Sequence, residues 1–284
     1  MSTPTYPSTP TYPYNDPSKS LTSHWTATRP TISPASYLDG ARHADRNPDR
    51  RKWTDAGPAR LHVSLLLDAS GSMEVSRKPA VAAVNRYLAR LHDGPAAART
   101  RLSLTVFNSH AIETVRDRTR ADACPFLREA EFRPGGRTPL FDAVGYSAGL
   151  LDCLSDRSER RVLAILTDGL DTGSRGFPAD RVRRVLERNQ NEHGWIVLYL
   201  GVDHDSLSQA GALGIPERWT ADLSRSKLTA AADILANVSR QCQDWPVASR
   251  TLAGGPKAAG VCVAAGIAQP GLTAQDRAAL AGMV

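Results

Sequence analysis

Asp68-Ala69-Ser70-Gly71-Ser72 closes an apolar run that begins at Leu61, placing a carboxylate and two hydroxyls at alternate positions. These are hard oxygen donors, the set that suits Mg2+ or Mn2+. Two further donors of the same kind lie downstream. Gly135-Gly136-Arg137-Thr138-Pro139-Leu140-Phe141-Asp142-Ala143 sets a threonine hydroxyl between a glycine turn and a helix-like segment, and the apolar run Arg161 to Leu166 ends in Thr167-Asp168-Gly169. The candidate metal ligands are therefore Asp68, Ser70, Ser72, Thr138 and Asp168. Any one of them has an ordinary explanation, because Asp and Ser commonly cap helices. Capping does not account for oxygen side chains on three separate segments. Asp142 falls in a first helical turn, where a carboxylate complements the helix dipole, and reads as structural. Glu74 and Asp171 flank the donors and are expected to be exposed.

The donors need elements to hold them. Leu61 to Leu67 reads as a buried strand, so Asp68 stands at its carboxyl end and Ser70 and Ser72 lie on the following turn. In open α/β sheets the carboxyl ends of the strands are where ligands bind. Arg77 to Leu91 has Val81, Val84, Leu88 and Leu91 at helical spacing. Leu102 to Phe107 reads as a strand, Asn108-Ser109-His110 as a turn, and Ala111 to Val115 as a returning edge strand. Helix is expected over Thr138 to Leu154, strand over Arg161 to Leu166, helix over Pro178 to Glu192 and strand over Trp195 to Leu200. A short helix at Leu207 to Leu213 ends at Gly214, Trp219 falls in a last short strand, and Leu228 to Cys242 forms the final helix. Strands alternating with helices imply an α/β, doubly wound, mostly parallel central sheet with one antiparallel edge strand and helices on both faces.

The flanks differ in composition. Residues 1–57 read as a disordered tail rich in Pro, Tyr, Ser and Thr, in which Ser2-Thr3-Pro4-Thr5-Tyr6-Pro7 recurs unchanged at Ser8 to Pro13. Residues 58–245 read as the folded domain. Residues 246–284 read as an Ala/Gly-rich tail with a short helix over Thr273 to Met283. A formal net charge of +6 over 284 residues is mildly basic and does not point to nucleic acid. The cysteines Cys124, Cys153, Cys242 and Cys262 lack C-x-x-C spacing and read as buried thiols in a reducing compartment. The lone histidines His62 and His110 read as strand and turn residues, and Trp195 as core or rim. No signal peptide is legible, and no apolar run approaches the roughly 20 residues that span a bilayer. A cytoplasmic, GC-rich bacterial origin is the expectation.

Asp68-x-Ser70-x-Ser72, then Thr138, then Asp168 resembles the metal-ion-dependent adhesion site of von Willebrand factor type A (VWFA) domains in order and spacing, over roughly Arg60 to Trp245. The segment Gly194 to Asp203, followed by Leu213-Gly214-Ile215-Pro216, is similar to a bacterial subset of small cytoplasmic single-domain members. The resemblance implies that Ser70 and Ser72 ligate the ion directly, that Thr138 does so directly or through water, and that Asp68 and Asp168 act largely through water. It also implies a water position open to solvent, which an Asp or Glu from an unidentified partner protein can take.

The function expected is a divalent-metal-dependent protein-binding module with Mg2+ or Mn2+ as cofactor, not an enzyme. Two alternatives stand beside it. One is a structural component of a larger assembly with a stabilising or vestigial metal site. The other is a Mg2+-dependent hydrolase, against which Ser70 stands where a D-x-D pair would need a second acid. At the end of the first strand no G-x-S-x-G elbow forms around Ser70, because Leu67 and Asp68 precede Ala69, and no G-x-x-x-x-G-K loop is present in the sequence.

Overall fold

The computed structural model describes residues 60–155, 159–203, 205–244, and 272, 273 and 276. The expected N-terminal tail, 1–57, lies outside the described residues, as does the C-terminal tail, 246–284, apart from those last three.

The strands are β1 (Leu61–Asp68), β2 (Thr100–Phe107), β3 (Ile112–Arg120), β4 (Arg160–Thr167), β5 (Ile196–Val202) and β6 (Thr220–Leu223). They form one sheet in the order β3-β2-β1-β4-β5-β6. Every neighbouring pair is parallel except β2 with β3. All eight residues of β1 are buried, as a strand covered on both faces requires. The helices are α1 (Arg77–His92), α2 (Leu140–Leu154), α3 (Ala179–His193), α4 (Ser206–Ala212) and α5 (Leu228–Asp244). Helix α1 packs on α5, and α2 packs on α3.

This pairing follows from handedness. The β1-α1-β2 unit runs one way along the sheet and the β4-α3-β5 unit runs the other. Right-handed crossovers then place α1 and α3 on opposite faces. The strand order reverses between β1 and β4, and a crevice opens beyond their carboxyl ends. The apolar positions expected for α1, Val81, Val84, Leu88 and Leu91, are all buried.

Several expected elements differ in extent. Helix α2 begins at Leu140, not Thr138, because a residue before proline is disfavoured in the helical region and Thr138 precedes Pro139. Strand β3 runs on to Arg120, well past Val115. Its second half is Arg116-Asp117-Arg118-Thr119-Arg120, so charge conceals it from a search for apolar alternation. Ion pairs anchor it instead: Arg116 to Glu131 at 2.8 Å and Arg118 to Glu159 at 3.0 Å. Trp219 lies in a short 3-10 turn just before β6, not in the strand. Trp195 is buried just ahead of β5, with the Arg161 guanidinium 5.7 Å over its ring. Of the cysteines, Cys124 and Cys242 are buried but Cys153 is exposed, which corrects the expectation of buried thiols, and Cys262 lies outside the described residues. Of the helix expected over 273–283, Thr273 and Asp276 are described. Their side chains bond to each other's backbone N–H at 3.0 and 2.8 Å, and Asn237 on α5 donates to Asp276 at 2.7 Å. Among the described residues, no helix is long and apolar enough to cross a membrane.

Candidate metal site

The crevice between β1 and β4 collects the predicted donors. Asp68, the last residue of β1, is fully buried. Its Oδ1 accepts from the Ser70 backbone N–H at 2.7 Å, and its Oδ2 accepts from the Thr167 hydroxyl at 2.5 Å. The hydroxyls of Ser70 and Ser72 lie 3.1 Å apart, and Ser72 donates to Oδ1 of Asp168 at 2.7 Å. A continuous hydrogen-bonded line thus runs from the end of β1 to the residue just past β4. Asp168 is buried, whereas Ser72 is exposed at the mouth.

Thr138 completes the set from a third segment. Its side chain is buried against Gly169, where an added Cβ would come within 3.2 Å of Thr138 Oγ1. The loop bearing it is fastened on both sides. Thr138 N–H donates to the Thr172 hydroxyl at 3.1 Å, and Thr172 N–H donates to the Thr138 carbonyl at 2.9 Å. Upstream, Gly71 N–H reaches the Gly136 carbonyl at 3.0 Å and Gly135 N–H reaches the Ala69 carbonyl at 2.9 Å. Gly136 has a φ of 72°, and a Cβ there would lie 2.3 Å from Ser109 Oγ, so this loop needs glycine.

The neighbouring acids have definite duties. Asp142 accepts backbone N–H groups of Arg175, Gly176 and Phe177 at 2.9, 2.9 and 2.7 Å, clasping the β4–α3 loop beside the donors. Its role is structural, as expected, but rests on this clasp more than on the helix dipole. Asp171 was expected to be exposed; it is half-buried and accepts from Phe141 N–H at 3.2 Å in the first turn of α2. Glu74 is exposed.

The donor chemistry fits a hard divalent cation. Burial pushes the Asp68 carboxyl up to about 6, against the hydrogen bonds from Thr167 and Ser70. Among the described residues, no cationic side chain pairs with it. Buried carboxylates are ordinarily paired or coordinated to a metal. No three His, Cys, Asp or Glu side chains among the described residues cluster as a metal site. The donors here are two carboxylates and three hydroxyls, a hard, weakly charged set rather than a carboxylate cage.

Three residues next to the donors escaped the sequence reading. Thr167 was visible in Thr167-Asp168-Gly169 but was read only as the strand's end. Arg225, on the turn between β6 and α5, places Nη2 3.4 Å from Asp168 Oδ2. Asp203, just past β5, holds that arginine through Nε at 3.3 Å. Nothing in the spacing links Arg225 to Asp168; only the sheet order brings their loops together.

No protein-family model matches the chain, and no curated protein matches it. Solved structures match its fold. The vWF domain of the type V pilus tip protein Mfa5 from Porphyromonas gingivalis aligns with a TM-score of 0.56 at 13% identity, over 67% of this chain and 98% of that one. The pilus adhesin SpaC from Lactobacillus rhamnosus GG, in its open conformation, aligns with a TM-score of 0.50 at 12% identity, over 64% of this chain and 30% of that one. Proximal thread matrix protein 1 from the mussel byssus aligns at 0.48 and 13% identity, over 63% of this chain and 48% of that one. The chain therefore spans about half of the mussel protein and under a third of the adhesin. The likeness is one of fold: a six-stranded, mostly parallel sheet of the von Willebrand factor type A class.

Proposed function

We propose that this chain is a protein-binding module that works through a metal-ion-dependent adhesion site, with Mg2+ or Mn2+ bridging to an Asp or Glu of a partner protein. The observation that carries this reading is the hydrogen-bonded line Asp68–Ser70–Ser72–Asp168, with Thr138 beside it, at the mouth of the β1–β4 crevice. Ser70 and Ser72 would hold the ion directly, Thr138 directly or through water, and Asp68 and Asp168 from behind. When bound, the ion would supply a positive charge that neutral hydroxyl ligands leave largely uncancelled, so a partner's carboxylate is attracted to the solvent side. Ser72 is exposed there, while Asp68 and Asp168 are enclosed. The partner's acid, not the protein's own, is thus the group with access. The vWF domain of a pilus tip protein and a pilus adhesin share the fold, which supports a binding role. We place the module in a bacterial cytoplasm and assign it no catalytic reaction and no nucleic-acid partner, on composition and motif grounds.

The alternative of a structural component with a stabilising site draws on one contact. Arg225 already lends Asp168 a positive neighbour, and that could suffice in a metal-free protein. Pull-down with and without EDTA separates the two. The wild-type chain is expected to capture a partner in Mg2+ and release it in EDTA, and Asp68→Ala or Ser70→Ala is expected to lose capture while keeping wild-type circular dichroism. Capture unchanged by EDTA would sink the proposal.

A further inference from the structure

We infer that Arg225 is a second carboxylate-recognising group of this site, so that the partner's acid is read by the ion and a guanidinium together. The inference rests on the metal-bridged reading above. Arg225 is fixed mainly by an acid other than the donors, Asp203. The Arg225 backbone N–H donates to Asp203 Oδ1 at 3.2 Å and its Nε pairs with Asp203 Oδ2 at 3.3 Å. Asp203 is itself held at a φ of 55°, with its N–H on the Leu223 carbonyl at 2.9 Å. A non-glycine residue in that region is uncommon and marks a backbone held by its surroundings.

From this tether Nη2 leans on Asp168 Oδ2 at 3.4 Å, at the long end of a charge-assisted hydrogen bond. A group serving only to neutralise Asp168 would be expected in a close two-pronged pair. Here the Nε–Nη2 edge is divided between two acids. Among the described residues no acceptor meets Nη1, and the Arg225 side chain is 44% exposed while that of Asp168 is 0% exposed. The guanidinium is therefore only partly engaged and partly open to solvent, as Ser72 is.

Asp168 supplies the measure of what fits. One of its oxygens takes the Ser72 hydroxyl and the other meets Arg225. A single carboxylate thus spans from the donor line to the guanidinium. A partner's Asp or Glu, arriving from solvent, presents the same two oxygens at the same separation. One can meet the ion and the other Nη1 or Nη2. Guanidinium donates only, so a carboxylate satisfies it and an amide offers half the acceptors and no charge.

The test uses the full chain, Mn2+ and acetate. Free Mn2+ is counted by electron paramagnetic resonance, and acetate is then titrated while water-proton relaxation reports Mn2+-bound water. Arg225→Gln is expected to bind Mn2+ at least as tightly as wild type, because a nearby positive charge is gone. It is expected to need about tenfold more acetate to displace water, the equivalent of one charge-assisted hydrogen bond. Arg225→Lys should recover part of that loss. Arg240→Gln, an exposed cation far along α5 from Arg225, should stay within about twofold of wild type. Acetamide should displace little water from any variant. Equal acetate dependence in wild type and Arg225→Gln overturns the inference and leaves the metal site standing. Loss of Mn2+ binding in Arg225→Gln overturns it in favour of a structural arginine. Failure of the wild-type chain to bind Mn2+ overturns the metal reading and the inference with it.

Discussion

His62 shows how far a single side chain can be determined by its surroundings. It interrupts the apolar start of β1 and lies fully buried, with Nδ1 2.7 Å from the Ser155 hydroxyl and Nε2 2.9 Å from the Ser103 hydroxyl. Burial, and then the positive charges of Arg118, Arg161 and Arg101, push its pKa down to about 3. The ring is therefore neutral in the fold, while an unfolded histidine takes up a proton near pH 6.5. Between those values the unfolded chain binds the extra proton, so the neutral ring's contribution is complete above pH 6.5 and declines as pH falls toward 3. His62→Gln keeps polar contacts but cannot titrate. Urea unfolding at pH 7 and pH 5 is expected to show a smaller loss of stability on acidification for His62→Gln than for wild type. An identical loss would mean that His62 is protonated in the fold.

At the scale of elements, the pairing of α1 with α5 closes one face of the sheet. Val84 and Leu88 on α1 and Ala231 and Leu235 on α5 are all buried in the same core. A buried polar link crosses the pairing: the Tyr87 hydroxyl lies 2.8 Å from the Ser239 hydroxyl, with both side chains enclosed. Outside, Arg86 and Arg90 both reach Asp233, an exposed cluster that adds little. Removing the phenol oxygen strands the Ser239 hydroxyl without opening a large cavity. Tyr87→Phe is expected to cost about 1–2 kcal/mol in denaturant unfolding and to speed amide exchange in α5. Arg86→Ala should change either quantity far less. The pair matters to the site because α5 continues directly from the turn that carries Arg225.

For the whole molecule, the donors span three loops that meet only when the sheet is complete. An ion held by Ser70, Ser72, Thr138, Asp68 and Asp168 would bind the folded chain and not the unfolded one. At a Mg2+ concentration about a hundredfold above its dissociation constant, linkage adds about 2.7 kcal/mol. The melting temperature is accordingly expected to rise by several degrees on titrating Mg2+ and to fall back with EDTA. Ser72→Ala should flatten the titration while leaving the metal-free melting point near that of wild type. A melting temperature indifferent to Mg2+ and Mn2+ in the wild-type chain would favour the structural reading of the site.

The sequence by itself determined the succession of strands and helices along the chain, the antiparallel edge, and the three segments that carry Asp68, Ser70 and Ser72, Thr138, and Asp168. These are local signals: an apolar run ending in an acid, a glycine turn ending in Thr-Pro, and a periodic face. Charge hid the second half of β3, where Arg116 and Arg118 are held by partners distant in sequence. Likewise, Asp142 looked like an ordinary first-turn acid because the loop it clasps starts more than thirty residues later. Tertiary structure alone decided which groups stand around the donors. Thr167 turns its hydroxyl to Asp68 because β1 and β4 are neighbours, and Arg225 reaches Asp168 because the parallel strands β4, β5 and β6 carry their following loops to the same end of the sheet. Side chains separated by 57 positions or more leave no periodicity or spacing to detect; their meeting is a consequence of strand order.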